Sequence, residues 1–77
     1  MVANREDERW MAEALEEARS AGLAGEIPVG AVIVQGGSVL ARAGNRTVRD
    51  RDPTAHAEAL VIRAAAAARD TWRLDGC

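Results

Sequence analysis

The stretch VGAVIVQGGSVLARAG constrains this chain more than any other. Val29 to Val34 is a β-branched run of strand length, Val39 to Ala43 is a second candidate strand, and Gly36-Gly37 stands between them. Two adjacent glycines accept the positive φ that a tight turn demands, so the segment is expected to be an antiparallel hairpin. The first strand is apolar almost throughout. A strand of that kind is buried on both faces, so helices are expected above and below it. Gly30, inside that strand, removes a side chain where another backbone or a ligand would come close.

The flanking segments supply the helices. Asn4 can cap the first, Asp7 follows three residues later, and the acidic REDE suits the positive end of the helix dipole. Trp10, Met11, Ala14, Leu15 and Ala18 recur at helical spacing and are expected to form its core-facing stripe, with Gly22 and Gly25 ending it. NRTVRDRDPT is polar and reads as a loop. A second helix is expected from Thr54, acting as cap after Pro53, to about Arg69. Within it Ala64 to Ala68 offer a small-residue surface that could press closely on a sheet. TWRLDGC reads as a turn leading into a further strand. Helix, strand, strand, helix makes an α/β class chain.

At 77 residues the chain is one domain at most, and a chain of this size buries only about 60% of its unfolded surface. Phe and Tyr are absent, which leaves Trp10 and Trp72 as the only large rings. A core this thin, beside a sheet edge left open, is expected of part of a longer domain. All ten basic residues are arginine, yet the net charge is −2. A self-contained nucleic-acid module is usually basic, so the arginine count alone argues nothing about RNA. The single cysteine, Cys77, excludes an intrachain disulfide. No apolar run approaches the ~20 residues that span a membrane, and the N-terminus lacks a signal-peptide apolar region, so a cytoplasmic protein is expected.

The chemistry concentrates in DPTAHAEAL, which holds the only histidine, His56, with Glu58 two residues on. Residues two apart on an ideal helix point about 200° away from each other. In the first turn that separation matters less, because both side chains can converge on a point near the axis, above the helix N-terminus. His-x-Glu alone is a weak signal, and a capping or surface histidine is the simpler account of it.

Taken together, IPVGAVIV, the following GN, DPTAHAE and WRLDGC resemble the N-terminal half of the bacterial tRNA-specific adenosine deaminases, within the zinc-dependent cytidine/deoxycytidylate deaminase superfamily. The resemblance runs from the first helix to Cys77. It implies a three-layer α/β/α sandwich, of which residues 1–77 supply helix, hairpin and helix as the N-terminal portion of a single deaminase domain. It makes His56 a zinc ligand, Glu58 the proton shuttle and Asn45 a contact to the substrate nucleoside. One Zn2+ per complete domain, the tRNA anticodon arm as substrate and a homodimer are further implications. The reaction implied is hydrolytic conversion of adenosine to inosine at the wobble position.

The family's Pro-Cys-x-x-Cys is not among these 77 residues. Cys77 does not replace it, so the chain by itself is expected to be inactive. Two other readings stay open. One is a free-base guanine or cytosine deaminase of the same superfamily. The other is a small non-catalytic interaction domain in which His56 has no chemical role. Arg46, Arg49 and Arg51 would suit a phosphate-bearing substrate, although a solvated loop is the simpler account of each of them.

Overall fold

A computed structural model describes residues 5–77. Its elements run α1 (Arg5–Leu23), β1 (Gly30–Gln35), β2 (Ser38–Gly44) and α2 (Ala57–Arg69). The expected cap at Asn4 lies outside the described residues. β1 and β2 pair antiparallel, with Gly30 opposite Gly44 and Gln35 opposite Ser38. Gly36 and Gly37 turn the chain at φ of 56° and 80°, the conformation that an L side chain would resist. Ile33 faces Ala41 while Val34 faces Val39, so Leu40 is an extra residue and β2 carries a bulge there.

Both helices contact both strands, and they do not contact each other. They therefore cover opposite faces of the hairpin, which gives the expected α/β/α layering. β1 is only half-buried at every position, short of the full burial that its apolar run suggests. Its faces are covered by helices, but among the described residues no strand pairs with its outer edge.

The packing of α1 differs from the hydrophobic stripe. Met11 and Leu15 are 60% and 61% exposed, while the partly or fully buried positions are Trp10, Glu13, Ala14, Glu17, Ala18 and Ala21. The cause lies in the two paired glycines. A Cβ on Gly30 would run into the backbone oxygen of Ala14 and stand 2.5 Å from the Ala18 nitrogen. One on Gly44 would lie 2.9 Å from the Glu17 carbonyl oxygen. The helix backbone thus rests directly on the sheet, and the residues able to share that contact are small or can reach around it. Glu13 does the latter, bonding Arg42 on β2 at 2.8 Å.

On the opposite face α2 buries Ala57, Val61 and Ala65 at four-residue spacing. Of the alanine run Ala64 to Ala68, only Ala65 is fully buried, so the run provides one contact point rather than a broad small-residue surface. No large apolar residue is completely buried among the described residues. Residues 71–77 form bends and turns, with Cys77 N–H donating to the Leu74 carbonyl at 3.2 Å; no strand follows within them.

Both helices end in the same motif. In α1, Glu26 N–H donates to the Ala21 carbonyl and Gly25 N–H to that of Gly22, with Gly25 at φ 85°. In α2, Thr71 N–H reaches Ala66 and Asp70 N–H reaches Ala67, with Asp70 at φ 54°. These are Schellman caps, and Asp70 stands where glycine is the comfortable choice.

Candidate active site

α2 begins three residues later than the sequence suggests. Thr54 is not its cap, because the Asp52 carboxylate takes both the Thr54 N–H at 2.8 Å and the Thr54 hydroxyl at 2.7 Å. The Ala55 carbonyl accepts from Arg46 N–H at 2.9 Å instead of opening a helix. The N-cap position falls to His56, whose backbone is extended (φ −83°, ψ 149°) and whose imidazole makes no capping bond. Its carbonyl accepts the first helical bond, from Leu60 N–H.

This offset resolves the spacing of His56 and Glu58. His56 is outside the helix and Glu58 is its second residue, so the 200° rule does not apply. His56 Nδ1 lies 3.5 Å from Glu58 Oε1. Both side chains are more than half exposed, and both stand at the positive end of α2, where negative charge is favoured.

The capping task is done from elsewhere in the chain. Asn45, immediately after β2, is 6% exposed, and its Oδ1 accepts the Ala57 N–H at 2.8 Å. That satisfies one of the four donors that a helix start leaves without a partner inside the helix. The Asn45 Nδ2 group donates to no described protein atom and is not sealed from solvent. Its main chain is also held, since its N–H donates to the Val29 carbonyl at 3.1 Å. Asn45, His56 and Glu58, the three residues singled out from the sequence, are thus brought to one end of α2.

Glu26 is the residue that sequence reasoning missed. Its side chain is fully buried. One carboxylate oxygen accepts Val48 N–H at 3.0 Å; the other accepts Arg49 N–H at 2.8 Å and Arg49 Nε at 3.1 Å. Burial pushes its pKa up, but the N–H groups of Arg49 and Val48 and the Arg49 guanidinium together outweigh that and hold it below the usual carboxylate value. Asp52 is also held low, first by the Thr54 hydroxyl and then by the Thr54 N–H. The one signal available for Glu26 was a carboxylate between a helix-ending glycine and an apolar strand, a position with no obvious access to water.

The loop arginines are exposed, and two of them are also engaged by groups of this chain. Arg46 Nε bonds Asp50 at 3.0 Å, and Arg49 is shared between Glu26 and the Asn45 carbonyl. Arg51 is exposed, at φ 50°. A cleft of about 370 Å³ opens along β2 between the helices, lined by Glu17, Ser20, Arg42, Gly44, Arg46 and Leu60 among others. Asn45, His56 and Glu58 do not line it; His56 and Glu58 stand on the open surface at the helix end, with Asn45 buried beneath them.

A metal would find one ligand here. The His56 ring is exposed, and no backbone group occupies either of its nitrogens, which leaves it free to coordinate. Among the described residues no group of three or more His, Cys, Asp or Glu could hold an ion. Cys77 is exposed at the C-terminal turn, 3.5 Å from Arg69 Nη1. The donors present therefore suit one corner of a His/Cys/Cys set and do not complete it.

Residues 4–77 match the model of the cytidine and deoxycytidylate deaminase zinc-binding region. The tRNA-specific adenosine deaminase of Bacillus subtilis is 48% identical over 71 residues, covering 92% of this chain and 44% of that protein. A solved structure of a tRNA:A34 deaminase, studied for A-to-I editing at the wobble position of transfer RNA, superposes with a TM-score of 0.86 at 54% identity, over 90% of this chain and 50% of its own. A guanine deaminase from Bacillus subtilis superposes at 0.88 with 37% identity, over 97% and 47% of the two chains. The chain spans about half the length of the proteins it matches.

Proposed function

The chain belongs to the cytidine and deoxycytidylate deaminase zinc-binding family, and from that premise we propose that it carries the proton-shuttling part of a zinc-dependent tRNA adenosine deaminase. The observation that carries the reading is the meeting of His56 and Glu58, 3.5 Å apart, at a helix start capped from outside by Asn45. An imidazole that makes no bond to the backbone, with an exposed carboxylate beside it, matches the demands of hydrolytic deamination.

His56 is one protein ligand of the zinc; the remaining ones are expected from a Pro-Cys-x-x-Cys beyond these 77 residues. Zinc, when bound, supplies Lewis acidity that brings the pKa of water toward ~7. Glu58 takes a proton from the attacking water and delivers it to the purine ring as C6 is attacked. It then takes the proton of the new C6 hydroxyl and hands it to the departing amino group, so that the C6–N bond breaks, ammonia leaves and the C6 carbonyl of inosine remains. Glutamate suits the task because it can swing between water and base without being a ligand. Asn45 Nδ2, which has no protein partner, donates to an acceptor on the nucleobase edge and orients it. The complete protein would act as a homodimer in the cytoplasm, on the anticodon arm of tRNA.

Guanine deamination is the second reading, favoured by the 0.88 superposition. The internal pairing of Arg46 and Arg49 also engages two cations that an RNA substrate would use as phosphate contacts. The test is to offer the complete protein an anticodon stem-loop with adenosine at the wobble position, and guanine in a parallel reaction. Inosine from the RNA with no xanthine from guanine is expected. Xanthine without inosine would transfer the assignment to the free-base enzyme.

A further inference from the structure

We propose that Glu26 is a positioning residue for the His56–Glu58 site, acting through Arg49 and Asn45. This rests on the deaminase reading for its catalytic consequence, though not for its structural one.

The argument follows a continuous chain of bonds. Glu26 is fixed at its own main chain by the Schellman cap of α1, its N–H donating to the Ala21 carbonyl at 2.9 Å. Its buried carboxylate gathers Val48 N–H, Arg49 N–H and Arg49 Nε. The same guanidinium reaches on, with Nη2 donating to the Asn45 carbonyl at 3.1 Å. Asn45 in turn accepts the Ala57 N–H on Oδ1. Ala57 lies between His56 and Glu58. Four residues therefore link the end of α1 to the start of α2, which the helices cannot do directly because they share no contact.

Three features make this more than a loop anchor. Glu26 and Asn45 are the only buried polar side chains among the described residues, and both belong to this chain of bonds. A buried carboxylate costs free energy unless its oxygens are satisfied, so the loop from Asn45 to Arg49 is held to one conformation. The His56 and Glu58 side chains are exposed, and their side-chain contact is with each other. The packing of Ala57, Val61 and Ala65 seats α2 on the sheet, and the relay fixes its first turn beside the Asp52–Thr54 turn, the Arg46–Ala55 bond and the His56–Thr54 bond.

Glu26→Gln tests it in the complete protein. The amide sets a donor against Val48 N–H or against Arg49, all of which already donate, and removes the charge that holds the guanidinium, so the relay should loosen at its first link. Amide exchange at Ala57, 31 residues away in sequence, is expected to speed up by roughly tenfold or more, with kcat falling and KM little changed. If only Val48 and Arg49 exchange faster while Ala57 stays protected and kcat is unchanged, Glu26 merely anchors a loop and the proposal fails. Should Glu26→Gln not fold, Arg49→Ala cuts the relay at the next link on a part-exposed side chain. Faster Ala57 exchange with lower kcat upholds the proposal there. A rise in KM that is largest at low salt and shrinks as salt is raised, with Ala57 still protected, would make Arg49 a phosphate contact and overturn it. Because Ala57 exchange needs no substrate, an inactive wild type would contradict the function while leaving this measurement able to decide the relay.

Discussion

Asn45 and Glu26 are buried so that His56 and Glu58 can be exposed and still be held in place. Replacing Asn45 with alanine strands the Ala57 N–H, and such a loss of a helix cap costs about 1–2 kcal/mol. Urea unfolding of the complete protein should record that loss. Asn45→Asp keeps an acceptor for Ala57 and should recover most of the stability while losing the Nδ2 donor. The acid response follows from Glu26, whose folded pKa lies below its ordinary 4.5. A depressed carboxylate contributes stability that is present above the ordinary value and is lost as pH falls through the lower, folded one. Stability should therefore change little through Glu26 between about pH 8 and 5, and decline below about 4.5. Glu26→Gln should flatten that acid limb in a pH series of unfolding curves. An unchanged limb would mean that other carboxylates set it. At this scale the sequence exposed the polar pair because His56 is unique and close to Glu58. It could not expose the cap, since Asn45 and Ala57 are 12 residues apart, nor the Glu26 contacts across 22 and 23 residues. Such pairings exist only once the hairpin has folded between them.

The hairpin is the element whose local sequence sufficed. Its β-branched runs and its Gly-Gly turn are contiguous, and the strands begin and end within a residue of where those runs do. The face of α1 was less legible, because the deciding fact sits on another element. Gly30 and Gly44 let the helix backbone touch the sheet, so Ala14, Ala18 and Ala21 go inward while Met11 and Leu15 turn out. Gly30→Ala should accordingly push α1 off the sheet and destabilise the complete protein by about 1–3 kcal/mol or more. Gly44→Ala, with its nearest obstacle at 2.9 Å, should cost less. Equal and negligible losses in thermal unfolding would contradict the close contact. Asp70→Gly should act in the opposite sense, raising stability by about 0.5–1 kcal/mol, because glycine accepts φ 54° without a Cβ penalty. The start of α2 was misjudged at Thr54 because Asp52, two residues earlier, competes for the donors that a helix would have used.

As a whole molecule, residues 5–77 are an α/β/α layering with little inside it. The fully buried apolar residues are Ala21, Ala55, Ala57, Val61 and Ala65, while Met11, Leu15, Leu23, Ile27 and Trp72 are largely exposed. Ordering a chain costs about 1.5 kcal/mol per residue, which burial on this modest scale does not offset. The isolated polypeptide is therefore expected to unfold without a cooperative transition and to bind zinc substoichiometrically; calorimetry beside metal analysis will show whether it does. Within a complete domain, on the function proposed above, Glu58 moves the proton. The most direct test is inosine formation on a wobble-adenosine stem-loop by the complete protein and its Glu58→Gln variant, with zinc measured in both. Turnover lower by about 10²–10⁴ at equal zinc content is the result expected of a lost proton carrier. Near-normal turnover by the variant would contradict the account.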